Sequence, residues 1–68
     1  MDQETFNLSL RKFLKMVGIN SQREIEKAVA DGMSAGRLKG GERFPARVTL
    51  KVEAIGLDVT FDGEIRLQ

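Results

Sequence analysis

The sequence has no cysteine, no histidine, no tryptophan and no tyrosine, and only one proline. Without cysteine there is no disulfide staple and no thiolate metal site, a composition that fits a reducing compartment. Without histidine the commonest proton shuttle is missing, and Ser9, Ser21 and Ser34 have no imidazole to activate them. Phenylalanine is the sole aromatic, so two of the rings favoured for base stacking are gone. No apolar run approaches ~18 residues, so nothing in the sequence reads as a membrane span. Met1-Asp2-Gln3-Glu4 is acidic where a signal peptide would be basic, and the expected location is the cytoplasm. An excess of one charge is lacking too. Eleven basic residues stand against ten acids, a net of +1, which gives no global pull toward nucleic acid or acidic lipid.

What is there is a chain of 68 residues, read as one small domain over 1–68. A core this small leaves little stability once the entropy of ordering the chain is subtracted, so association is an expectation from the start. The clearest pattern lies in 44–67. Phe44, Ala46, Val48, Leu50, Val52 and Ala54 hold the even positions, with Arg47, Thr49, Lys51 and Glu53 between them. After Gly56 the parity flips: Leu57, Val59, Phe61, Ile65 and Leu67 are apolar, and Asp58, Thr60, Asp62, Glu64 and Arg66 are polar. Alternate side chains of a strand point to opposite faces, so each half is a strand with one wet and one dry face. The flip requires a loop with an even number of residues. A four-residue loop over Ala54-Ile55-Gly56-Leu57 is preferred to a two-residue one, because it leaves only Gly56 at positive φ. This register puts Val52 opposite Val59, Leu50 opposite Phe61, Val48 opposite Gly63 and Arg47 opposite Glu64. Asp62-Gly63 is a rival turn signal and leaves a third short strand open.

Ahead of the hairpin, Phe6, Leu10, Phe13, Leu14 and Val17 form a stripe at helical spacing. Asp2 and Glu4 suit its first turn, and Leu8 points off the stripe. Gly18 is expected to end this first helix in a Schellman cap with Ile19 against Leu14. Ser21-Gln22-Arg23-Glu24 reads as a capping box that opens a second helix. Ile25, Ala28, Val29, Gly32 and Met33 make its buried face, and Gly36 stops it. Gly32 costs up to ~1 kcal/mol inside a helix, but Met33 keeps the period. Pro45 cannot donate to a ladder and belongs at a strand start or an edge. The expected fold is therefore α+β, in the order α-α-β-β, with two N-terminal helices packed on one face of a C-terminal antiparallel hairpin.

Several segments carry a resemblance: Thr5-Phe6-Asn7 with Arg11-Lys12-Phe13-Leu14, then Ser21 to Val29, Gly36-Arg37-Leu38-Lys39-Gly40 and Asp62-Gly63-Glu64-Ile65. On these the chain resembles a small family of short, uncharacterised proteobacterial proteins over nearly its full length. The resemblance implies one self-contained domain, and it brings no activity, cofactor or catalytic residue.

One charge feature is a candidate site. The block from Arg37 to Lys51 holds five basic residues against Glu42, a net of +4, with Gly40-Gly41 inside it. Its backbone N–H groups, with Arg37, Lys39, Arg43 and Arg47, could take a phosphate or a nucleic-acid backbone. Against this, the segment from Glu53 to Gln68 has four acids and one Arg, a net of −3, and the hairpin lays it against the basic strand. The acids Glu53, Asp58, Asp62 and Glu64 themselves read as a solvated, salt-bridged face rather than an acid–base pair or a metal cluster. No cofactor, metal or catalytic residue is expected. The favoured reading is a small non-catalytic interaction module. It would act through self-association or a protein partner, by adding a strand to an open hairpin edge. The alternative is a weak nucleic-acid or phospholigand binder through Arg37, Lys39, Arg43 and Arg47.

Overall fold

Asp2 starts the first element. Its Oδ1 accepts from the backbone N–H of Glu4 at 3.0 Å and of Thr5 at 3.2 Å, which satisfies two donors that a helix start leaves without partners. From there the computed structural model, which describes all 68 residues, runs one unbroken helix, α1, over Gln3–Ser34. The helix ends as the sequence suggests. Gly36 takes φ +77°, its N–H reaches the Met33 carbonyl at 3.2 Å, and the Arg37 N–H reaches Gly32 at 2.9 Å. That pair of bonds is the Schellman motif, with Gly36 as the left-handed residue.

The expectation of two helices is therefore corrected to one. Gly18 and Ser21, expected as a stop and a start, lie inside α1. Breaking the helix there would orphan four carbonyls and four N–H groups, and local caps satisfy only some of them. Keeping it whole costs about 1 kcal/mol for Gly18 and a few tenths for Ser21. Asn20 adapts by donating from Nδ2 back to the Met16 carbonyl at 2.8 Å.

The chain forms two compact units, Met1–Arg37 and Leu38–Gln68. The second is an antiparallel hairpin of β1 (Arg43–Val52) and β2 (Leu57–Arg66), joined by a 3₁₀ turn over Glu53–Ile55. The parity is as read from the sequence, but the register is shifted by two residues. Val52 pairs with Leu57, Leu50 with Val59, Val48 with Phe61 and Ala46 with Gly63. The loop has four residues, as expected, but it is Glu53-Ala54-Ile55-Gly56 rather than 54–57. Gly56 closes it at φ +64°, its N–H on the Glu53 carbonyl at 3.0 Å. An even shift keeps every side chain on its face, so alternation could not choose between the registers. Charge favours the observed one by a small margin: the expected register has one opposite-charge pair, Arg47–Glu64, and opposes Glu53 to Asp58, whereas the observed one has two, Lys51–Asp58 and Arg47–Asp62, and opposes Arg43 to Arg66. Strand β2 runs straight through Gly63, and Asp62-Gly63 makes no third strand.

Apolar residues are patterned but only partly covered. No hydrophobic side chain in the chain is buried. On α1, Phe6, Leu10, Phe13 and Leu14 are each more than two-fifths exposed, and Gly32 is the helix's one buried residue. On the hairpin's apolar face Phe61 is 60% exposed. The fold class is α+β, a long helix followed by a hairpin, and no helix is long and apolar enough to cross a membrane.

Candidate functional site: the basic connector

The candidate residues are spread along the chain rather than gathered. Arg37 closes the Schellman end of α1 and belongs to the first unit; Lys39, Arg43 and Arg47 belong to the second. Arg47 is engaged. Its Nε donates to Asp62 Oδ1 at 2.7 Å across the strands, with both side chains well exposed. The sequence expected Glu64 as its partner; the shifted register brings Asp62 instead. Arg43 sits opposite Arg66, a like-charged pair at the open end of the hairpin. Thr49 and Thr60 face each other with their hydroxyls 3.5 Å apart.

The glycine pair does build a place for an anion, and the chain fills it. Gly40 takes φ +105°. This turns successive N–H groups toward one point, a concavity that suits negative charge. The Glu42 carboxylate occupies that point. It accepts from the Lys39 N–H at 2.8 Å and 3.1 Å, one distance to each oxygen, and from the Gly40 N–H at 2.9 Å. These bonds, from Lys39 first and Gly40 second, hold the Glu42 carboxyl below the usual carboxylate range. The same logic lowers Asp2, whose main partner is the Thr5 N–H. Glu42 is the residue that sequence reasoning passed over, counting it only as one negative charge in a basic block. Its signal was the order Lys-Gly-Gly-Glu: a flexible turn that exposes amides, followed at once by a carboxylate able to reach back. Behind it, the Leu67 N–H donates to the Glu42 carbonyl at 2.9 Å, so the hairpin's end anchors the backbone of the same residue.

The model described as "Family of unknown function (DUF6494)" matches residues 1–68. The chain belongs to this family. Membership of DUF6494 covers the full length, helix and hairpin together, so the family pattern includes both units. No curated protein matches the chain, and no solved structure matches it.

Proposed function

We propose that this DUF6494 protein is a small non-catalytic interaction module that acts through self-association. The observation that carries the reading is the absence of any buried hydrophobic side chain in a chain whose residues are 41% hydrophobic. Hydrophobic burial is the main favourable term in folding, and a chain whose apolar side chains are only partly buried within itself gains more of it by association.

Edge pairing is the weaker route. Pro45 interrupts the donor row of β1. The polar side chains of β1 include Arg43, Arg47 and Lys51, whereas those of β2 include Asp58, Asp62 and Glu64. A symmetric β1–β1 or β2–β2 contact would therefore oppose like charges. The apolar faces carry no such penalty. The phosphate alternative is weakened at its receptor, because Glu42 already occupies the loop amides and Asp62 holds Arg47.

Sedimentation equilibrium across a concentration series tests the reading. A mass of two or more chains is expected, with a melting temperature that rises with protein concentration. A monomer at every concentration with a sharp, concentration-independent melt overturns it. In a parallel titration, saturable and salt-sensitive binding of a short oligonucleotide or inorganic phosphate would favour the alternative.

A further inference from the structure

The two outer edges of the hairpin are not alike, and the difference follows from the phase of its hydrogen bonds. The Leu67 N–H donates to the Glu42 carbonyl, one step beyond the Arg43–Arg66 pair. Opposed residues of an antiparallel ladder alternate between pairs that exchange bonds and pairs that do not. Glu42 and Leu67 are of the first kind. Arg43–Arg66, Pro45–Glu64, Arg47–Asp62, Thr49–Thr60 and Lys51–Asp58 are therefore of the second, and their backbone N–H and C=O groups point outward. The sheet has two strands, so neither outward row meets a third.

On β1 the outward row is Arg43, Pro45, Arg47, Thr49 and Lys51. Pro45 has no N–H to give, and proline and lysine are residues that blunt an edge. On β2 the row is Asp58, Thr60, Asp62, Glu64 and Arg66, every one an exposed residue with an N–H. Three acids stand there against one arginine, a net of −2. Two features of β2 have no use within the chain. Gly63 weakens a strand, yet its φ is not positive, the ladder passes it without a bulge, and a methyl group added there would meet nothing within 4 Å. A strand glycine of that kind marks a place where another backbone comes close. Asp58 and Glu64 also lack ion pairs: Arg47–Asp62 is the chain's sole one, and Glu64 faces Pro45.

We propose that the free edge of β2 takes an extended segment of another protein as a third, antiparallel strand. The segment carries basic side chains opposite Asp58 and Glu64 and a bulky apolar one beside Gly63, where an aromatic neighbour compensates a strand glycine. Its remaining apolar side chains continue the face of Val59 and Phe61. Charge selects this occupant. A second β2 would bring acidic row to acidic row, and β1 of a second copy would present the edge that lacks the Pro45 donor. The proposal goes beyond the self-association read above and uses a backbone edge rather than an apolar face.

The probe is the end-capped peptide Lys-Phe-Thr-Val-Thr-Val-Lys, with a control that has glutamate for both lysines. At about ten times its Kd, the lysine peptide should slow NMR-detected amide exchange at Thr60, Asp62 and Glu64 by about tenfold. Arg47 and Thr49 on the other edge should not change, and the control should slow none. Thr60→Pro removes an outward donor while sparing the inner ladder, as Pro45 does on β1, and should abolish the effect. Should that variant lose the hairpin, a double variant Asp58→Lys, Glu64→Lys replaces it, and should prefer the glutamate peptide. No slowing up to millimolar peptide, equal slowing by both peptides, slowing on the β1 edge instead, or slowing that survives Thr60→Pro overturns the proposal. Slowing of the β2 edge as the protein alone is concentrated assigns that edge to a second copy and overturns it too.

Discussion

Gly18 separates a helix that stops from a helix that continues. It lies inside α1, and a methyl group added there would meet nothing within 4 Å. Gly18→Ala should therefore stabilise the helix by about 0.8–1 kcal/mol, through the lower backbone entropy of alanine in the unfolded chain. Ser21→Ala should act in the same direction by up to ~0.7 kcal/mol, because Ser21 is an interior position rather than a cap. Thermal melts followed by circular dichroism give both signs. If Gly18 were instead the left-handed end of a first helix and Ser21 the cap of a second, both substitutions would lower the melting temperature.

At the scale of the element, the connector between α1 and β1 is held by a charge and so depends on pH. Glu42 in the folded loop has its pKa below the unfolded value, because Lys39 and Gly40 donate to the ionised carboxylate. The sign follows from that direction. The stabilising contribution is complete above the unfolded glutamate value of about 4.3 and is lost as pH falls through the lower folded one. The amide resonances of Lys39 and Gly40 should shift with a midpoint below ~4.3, and Glu42→Gln should abolish that titration. A midpoint at or above the ordinary value would sink the account.

How much of each element could be read beforehand differs for a physical reason. Alternation placed both strands and their dry faces and required an even loop, since Val48, Leu50, Val59 and Phe61 obey a period of two, but the loop lies at Glu53–Gly56 rather than 54–57. It could not place the register, because moving the pairing by two residues changes no face; the opposition of Lys51 to Asp58 breaks the tie. The helix end was legible at Gly36, where a stop competes with nothing, whereas Asp2, read as a first-turn acid, is the N-cap. At Gly18 and Ser21 two good cap signals competed with uninterrupted backbone bonds, and the bonds won.

For the whole molecule, sequence patterning says which side of each element is apolar, not what covers it. Phe61 and Leu10 read as core residues by spacing, yet each stays more than two-fifths exposed within its own chain. Spacing is a property of one strand or helix, while burial needs a second surface, and the surface proposed above is that of another copy. The candidate site was hidden for a related reason. Counting charges from Arg37 to Lys51 gives a basic block, but in the folded chain the block's one acid, Glu42, closes on Lys39 and Gly40.

That closure bears on how the chain is cut. Arg37-Leu38-Lys39-Gly40-Gly41-Glu42-Arg43 spans the boundary between the units and offers trypsin three basic residues in a row of seven, two of the others being glycine. By composition it is where a protease should separate helix from hairpin. A protease, however, has to draw several residues into an extended conformation, and the Glu42 carboxylate holds both amides flanking the Lys39 carbonyl. Limited digestion should therefore spare the Lys39–Gly40 bond in the native protein. In the Glu42→Gln protein, cleavage after Lys39 should speed up more than cleavage after Arg37, a ratio that peptide mass mapping reads directly. Equal acceleration at both bonds would mean that the carboxylate does not guard the junction. The expected result makes a single acidic side chain the guard of the segment most exposed to processing.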